Sequence, residues 1–166
     1  MTTRTRIWSL VLLAVVASLG AMMAQAQKKP ALAYPGDFRH WRHVKSMVIF
    51  SSQNKLFEKF GGLHNIYVND TGWPALEKNK LYPDGSMFAL ELFDVSNSMG
   101  AIESRPGHKA VYLMKKNSKL NADTSGWGFE VFQGNAQAGS LKDMKACFDC
   151  HKEAKSKDYV ESGYVE

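Results

Sequence analysis

Two cysteines and a histidine near the carboxyl end carry the most specific chemistry in this sequence. Cys147, Cys150 and His151 form the pattern Cys-x-x-Cys-His, which is typical of c-type haem attachment. Cysteines three residues apart lie on nearly the same face of a helical turn, so both sulfurs can reach the two vinyl groups on one porphyrin edge. The next residue then brings its imidazole beneath the ring as the proximal iron ligand. The motif therefore predicts one covalently attached haem c, with His151 bound to its iron.

Three other interpretations of the cysteine pair stay open at this point. The pair can be a thioredoxin-like redox couple, although no βαβ pattern surrounds it. It can be half of a zinc site, in which case histidines would have to complete the ligands because the chain has only 2 cysteines. It can also be a simple structural disulfide.

Residues 1–26 have the pattern of an export signal. An arginine-bearing start precedes an almost wholly apolar run from Ile7 to Ala24, and Ala24-Gln25-Ala26 is a small-x-small cleavage site. We expect cleavage there, which leaves residues 27–166 as a single mono-haem domain in the periplasm. An uncleaved membrane anchor is the alternative. Haem is attached to c-type cytochromes after export, so this signal and the cysteine motif agree.

The composition is that of an ordinary globular protein. Of the 166 residues, 45% are hydrophobic and 22% are charged. Residues 1–26 hold two arginines and no acidic residue, so without them 19 Lys and Arg face 16 Asp and Glu. A positive charge this weak and scattered does not predict nucleic acid as a partner.

The hydrophobic pattern predicts helices at both ends of the domain. Asp37 is placed to cap a first helix, whose apolar residues recur at roughly helical spacing at Phe38, Trp41, Val44, Met47 and Val48. The last segment, Ser140–Lys157, has a helix-compatible composition and holds both cysteines. A short helix is also expected at Trp73–Lys80.

Strands are expected in the middle of the chain. The four candidates are Leu63–Val68, Ser86–Phe93, Ala110–Met114 and Trp127–Phe132. In the second of these, Phe88, Leu90 and Leu92 share one face of the strand. The polar residues from Val95 to His108 are interpreted as a connection. The predicted fold class is therefore α+β, an antiparallel sheet flanked by helices, with a C-terminal haem-attachment helix.

The position of the motif bears on the sixth iron ligand. Small all-helical electron carriers usually have the motif early in the chain and a methionine loop after it, whereas no methionine follows His151 here. An upstream ligand remains open, either one of the other four histidines or one of Met47, Met87, Met99, Met114 and Met144. A plain electron-transfer cytochrome is therefore one alternative function.

A series of short motifs in the mature chain resembles the cytochrome P460 family. The motifs run in the order of that family, from residue 34 to residue 160: Tyr34-Pro35, Phe38-Arg39-x-Trp41, Ile66-Tyr67-Val68-Asn69, Pro83-Asp84-Gly85-Ser86, Gly126-Trp127-Gly128-Phe129, Cys147-x-x-Cys150-His151 and Asp158-Tyr159-Val160. They cover nearly all of the sequence that follows the predicted signal.

The resemblance implies one of two activities. One branch of the family oxidises hydroxylamine and has a lysine cross-linked to the haem; the matching position here is Leu90, which cannot form that bond. A distal arginine of that branch falls at about His64. The other branch, cytochrome c′-beta, has the same sheet and haem attachment, no such lysine, and a distal pocket capped by phenylalanines. The chain resembles this second branch more closely.

For this chain, the c′-beta resemblance implies a homodimer with a five-coordinate haem that binds nitric oxide and carbon monoxide. The expected distal cap is Phe60 and Phe88, with Leu90 beside them, while His64 is expected at the pocket edge or on the surface. Iron-bound dioxygen is helped by hydrogen-bond donors, so an apolar cap favours nitric oxide and carbon monoxide over dioxygen. The function predicted is nitric oxide sequestration or sensing, with a possible electron-transfer partner. Hydroxylamine oxidation is the enzymatic alternative.

Overall fold

A computed structural model describes residues 31–165, and its centre is a five-stranded antiparallel sheet in the order β1-β2-β3-β6-β7. The strands of this sheet are β1 (Arg42–Ile49), β2 (Gly62–Val68), β3 (Met87–Phe93), β6 (Ala110–Lys116) and β7 (Trp127–Gln133). A separate hairpin consists of β4 (Val95–Ser98) and β5 (Ala101–Ser104). The predicted fold class is confirmed.

Three α-helices accompany the sheet in residues 31–165. They are α1 (Phe57–Phe60), α2 (Trp73–Glu77) and α3 (Met144–His151), and α3 continues into a 3₁₀ segment, Lys152–Lys157. Shorter 3₁₀ turns lie at Phe38–His40 and Ala122–Thr124. None of these helices has both the length and the apolar character that crossing a membrane requires. The export signal predicted for residues 1–26 lies outside the described residues.

The two faces of the sheet are covered by different parts of the chain. We call the face that packs against α3 the helical face; its core holds Phe88, Met114, Trp127 and Phe129 together with Phe148 of α3. The opposite, far face is covered by the segment before β1, whose Leu32, Tyr34, Phe38 and Trp41 pack on Ala89, Val111, Leu113 and Phe132. Alternate side chains of β3 therefore pack in two different cores, one on each face of the sheet.

The helix predicted to start after Asp37 is wrong, because Phe38–His40 is a single 3₁₀ turn and Arg42–Ile49 is strand β1. A β-bulge between His43 and Lys45 interrupts the two-residue alternation. The buried side chains of β1 are consequently Val44 and Ile49, a spacing that does not show the period of a strand. The amide of Val165 donates to the carbonyl of Val44 at the bulge, over 3.3 Å.

The connection predicted from Val95 to His108 contains the hairpin β4–β5. Its strands meet at Met99 and Gly100, which have positive φ angles of 51° and 88°, as the tight turns of two-residue hairpins require. Every residue of β5 is exposed, so no buried face produces a hydrophobic alternation in the sequence. The four predicted strands, which are β2, β3, β6 and β7, and the short helix at Trp73 are confirmed, with ends that shift by a few residues.

A buried carboxylate anchors the segment before β1 to the far face. Glu91 of β3 is 2% exposed and accepts a hydrogen bond from Arg39 Nε over 2.8 Å. His108 Nε2 lies 2.6 Å from the same carboxylate oxygen. The Arg39 guanidinium supplies the positive charge that a buried carboxylate needs.

Candidate haem site

Helix α3 presents the Cys-x-x-Cys-His motif on the helical side of the sheet. Asp143 caps its start by accepting a hydrogen bond from the amide of Lys145 over 2.9 Å. Cys147 is half-buried against the core, whereas Cys150 is exposed, and both are free thiols. The motif therefore lies on a capped helix, and Cys147 is the more buried of its two cysteines.

The start of α3 is tied to the last strand of the sheet. The amide of Ser140 donates to the carbonyl of Val131 over 2.8 Å, so the chain runs alongside β7 before the helix begins. The buried carboxylate of Glu130 accepts hydrogen bonds from the amides of Val131 and Leu141, each over 2.9 Å. A Cβ added to Gly139 would lie 2.4 Å from that carboxyl carbon, so a larger residue would displace Glu130. These contacts fix the position at which α3 begins, and therefore the position of Cys147 on it.

The imidazole of His151 has a defined tautomer. Its Nδ1 lies 2.8 Å from the carbonyl oxygen of Tyr159, which can only accept, so Nδ1 carries the proton. Its ring packs against Phe129 with 5.1 Å between ring centroids. Nε2 therefore keeps its lone pair, which is the form in which histidine binds metals, and the bond at Nδ1 fixes the ring in place.

A cavity of about 340 Å³ opens beside α3 on the helical face. Its lining residues come from α1, β6, β7 and the segment before α3: Lys59, Lys109, Ala110, Tyr112, Val131, Gln133, Ser140, Leu141 and Lys142. Its strand-borne wall combines Ala110 and Val131 with the polar Tyr112 and Gln133, and three lysines contribute to the remainder. This volume lies within the range of pockets that hold small organic ligands.

Tyr112 is a wall residue that the sequence interpretation missed. It lies opposite Leu90 in the pairing of β3 with β6, and its ring is 5.1 Å from that of Phe60. Burial, and to a lesser degree the nearby Cys147 sulfur, raises the pKa of Tyr112, so the phenol keeps its proton. The face predicted for Leu90 would have identified Tyr112 as its neighbour, had the pairing of β3 with β6 been known.

The three residues predicted for the distal pocket are not equally close to the cavity. Phe60 and Leu90 both adjoin Tyr112, the first by ring contact and the second by strand pairing. Phe88 is 4% exposed and lies two pairs further along the strands, where its ring contacts Tyr82 at 5.2 Å and Trp127 at 6.2 Å between centroids. None of the three is among the cavity-lining residues, so their pocket role stays a prediction.

His64 is expected at the pocket edge or on the surface; the surface position is wrong, because this residue is only 3% exposed, and the pocket edge stays a prediction. Its Nε2 bonds the carbonyl oxygen of Phe60 at the end of α1. Gly62 lets the chain turn between these two residues: its φ is 130°, and a Cβ there would lie 2.0 Å from the carbonyl oxygen of Phe93. His64 therefore holds the backbone of Phe60 beside the cavity.

Replacing His64 by glutamine is expected to flatten the acid dependence of stability. Burial lowers the pKa of His64 despite its bond to Phe60, so below its usual value of 6.5 the unfolded chain binds more protons and folding weakens as pH falls. The midpoint of thermal unfolding should then drop less between pH 7.5 and about 5.5 in His64→Gln than in the parent chain. Equal drops in both proteins would contradict a depressed pKa.

The residues around the motif fit a haem better than the other interpretations of the cysteine pair. Burial is the main cause that raises the pKa of Cys147, which opposes the thiolate that a redox couple needs. Within residues 31–165, no three or more His, Cys, Asp or Glu side chains are grouped as a metal site of their own would require. Two free thiols and an imidazole with a free Nε2 match what covalent attachment of a porphyrin and ligation of its iron need.

The comparison with protein families agrees with this geometry. The family model of cytochrome P460 matches residues 35–162, a range that begins before the 3₁₀ turn at Phe38 and ends beyond the carbonyl that bonds His151. No curated protein sequence matches the chain. Since the matched range covers most of the chain and includes every element of the sheet and α3, this protein belongs to the cytochrome P460 family and is a haem-binding cytochrome.

Proposed function

We propose that this protein is a periplasmic cytochrome with one covalently attached haem, whose five-coordinate iron binds nitric oxide and carbon monoxide. In this role it sequesters or senses nitric oxide. The observation that supports the proposal most is the commitment of His151 Nδ1 to the Tyr159 carbonyl, which leaves Nε2 free on the same helix as two free thiols. The periplasmic location rests on the signal predicted for residues 1–26.

Cys147 and Cys150 are proposed to hold the haem through thioether bonds. Each thiol adds across one vinyl C=C bond: the sulfur bonds to one carbon and the thiol proton goes to the other, so nothing is oxidised or reduced. The haem supplies an iron centre that binds small diatomic ligands. His151 holds that iron from one side, and its orientation is fixed by the bond at Nδ1.

The side chains near the cavity support an open sixth position. The residues that line it include no methionine and no histidine. Met114 and Met144 pack in the core of the helical face, and the Nε2 of His64 is engaged by Phe60. A low-spin electron carrier with a methionine or histidine sixth ligand is therefore the less favoured function.

The character of the wall supports selectivity for nitric oxide and carbon monoxide. Phe60 and Leu90 offer only hydrocarbon beside the cavity, and bound nitric oxide or carbon monoxide depends on hydrogen-bond donors less than bound dioxygen does. Tyr112, Gln133, Ser140 and three lysines also line the cavity and carry hydrogen-bond donors, so we expect discrimination against dioxygen to be less complete than in a pocket of hydrocarbon alone. Leu90 also cannot form the cross-link of the hydroxylamine-oxidising branch. We also propose that this protein is a homodimer, because its resemblance to the c′-beta branch implies one.

The proposal is tested on the full chain, expressed in a host that attaches haem to exported cytochromes. We expect a polypeptide that retains the mass of one haem after denaturation, and a ferrous absorption spectrum of high-spin, five-coordinate iron. Carbon monoxide and nitric oxide should each shift this spectrum, whereas air should oxidise the iron without a stable oxygenated form. The matched control is the double variant Cys147→Ala, Cys150→Ala, which should retain no haem mass after denaturation.

Two outcomes would contradict the proposal. A low-spin ferrous spectrum before any ligand is added would mean that a side chain occupies the sixth position. Sustained oxidation of hydroxylamine with an added electron acceptor would favour the enzymatic alternative instead.

A further inference from the structure

The carbonyl that bonds His151 lies in an unusual stretch of backbone. Asp158 and Tyr159 have positive φ angles of 50° and 66°, and neither is glycine. Residues with a Cβ rarely adopt this left-handed conformation unless the surroundings hold them there. The direction in which the Tyr159 carbonyl points therefore depends on what fixes these two residues.

A buried ion pair fixes Asp158. Lys116 Nζ at the end of β6 lies 2.8 Å and 3.0 Å from the two carboxylate oxygens of Asp158. The amide of Tyr82 donates to the same carboxylate over 3.0 Å, and Trp127 Nε1 donates to the carbonyl of Asp158 over 2.8 Å. The side chain and the backbone of Asp158 are thus held from three separate parts of the chain.

Lys116 is equally well enclosed. Its ammonium group also donates to the carbonyl of Ser125 over 3.1 Å and lies 4.9 Å from the ring centroid of Trp127. Its side chain and that of Asp158 are only 9% and 8% exposed. Removing one partner would leave the other charge buried without compensation, so these two residues act as a unit.

We propose that the ion pair of Lys116 and Asp158 positions the iron ligand. The pair holds the left-handed turn at Asp158 and Tyr159, and this turn aims the Tyr159 carbonyl at His151 Nδ1. The bond at Nδ1 sets the orientation of the imidazole and makes it a stronger donor to iron. This inference rests on the proposed function, because it takes His151 as the iron ligand. Lys116 and Asp158 are positioning residues that touch neither the iron nor its ligand.

The test compares haem-loaded variants by two signals of the iron–histidine bond, which are its stretching band in the resonance Raman spectrum of the ferrous protein and the reduction potential. In Lys116→Met and in Asp158→Asn the band should move to lower frequency. The potential should rise, because a weaker bond at Nδ1 makes the imidazole a poorer donor to ferric iron. Lys116→Arg keeps the charge and should restore both signals toward those of the parent protein, and it serves as the second variant if the others fold poorly.

The matched control is the buried pair on the far face of the sheet. Glu91→Gln removes a buried charge that Arg39 compensates, so it should lower stability while leaving band and potential unchanged. If Lys116→Met and Asp158→Asn lose stability but keep the band and potential of the parent, the pair stabilises the fold only and this inference is overturned. If the parent protein itself has no iron–histidine band, the assignment of His151 fails, and the proposed function fails with it.

Discussion

Replacing His151 by alanine is expected to abolish the iron–histidine signal while the haem stays attached to the protein. Cys147 and Cys150 would still hold the ring, but the only imidazole that α3 offers would be gone. The ferrous absorption spectrum should change, and the stretching band of the iron–histidine bond should disappear. Added imidazole should restore part of the original spectrum by occupying the space that the side chain leaves.

His43→Ala is the matched control for this experiment. His43 is exposed on β1 and its Nε2 lies 2.9 Å from Ser46 Oγ, so its removal should leave the spectrum of the haem unchanged. An unaltered band in His151→Ala would show that another residue is the proximal ligand.

Alanine substitutions of the two predicted distal phenylalanines are expected to change different properties, which are stability for Phe88 and the rate of carbon monoxide binding for Phe60. Phe88→Ala should lower the free energy of unfolding by about 3–5 kcal/mol, because this ring is enclosed by Tyr82 and Trp127 in the core of the helical face. Phe60 is half-buried at the end of a short helix, so Phe60→Ala should cost less stability and should instead speed carbon monoxide binding. Chemical denaturation and flash photolysis of the carbon monoxide complex measure the two effects.

A comparison of these two variants shows which of the two phenylalanines lines the pocket. Faster carbon monoxide binding in Phe88→Ala, at unchanged stability, would place Phe88 in the cap that the family resemblance implies. Unchanged kinetics in Phe60→Ala would contradict a pocket role for Phe60. Leu90→Ala serves as the comparison for a neighbouring aliphatic side chain on the same face of β3.

The attachment motif was predictable because its chemistry is local. Cys147, Cys150 and His151 lie within five consecutive residues, and helical geometry alone places the two cysteines about one turn apart. The strands β2, β3, β6 and β7 were predictable for a similar reason, since each is a short, largely apolar run bounded by turn-forming residues. These features require no knowledge of what lies far away along the chain.

The errors occur where distant contacts or irregular backbone decide the structure. Strand β1 was interpreted as a helix because the bulge after His43 removes the period of two. His64 is buried and bonds the main-chain carbonyl of Phe60, and a hydrogen bond to a main-chain group leaves no pattern in a sequence. The Tyr159 carbonyl was missed for the same reason, and Lys116 was missed because the typical lysine is solvated.

The hydrogen bond between Val165 and Val44 has a consequence for how the chain folds. It joins Val165, nearly the last described residue, to Val44 in the first strand, so this contact forms between two widely separated parts of the chain. Contacts between residues so far apart in sequence raise the entropic barrier to folding and slow it. The bulge at Val44 therefore acquires this partner only after the chain from Val44 to Val165 has been made and its two ends have met.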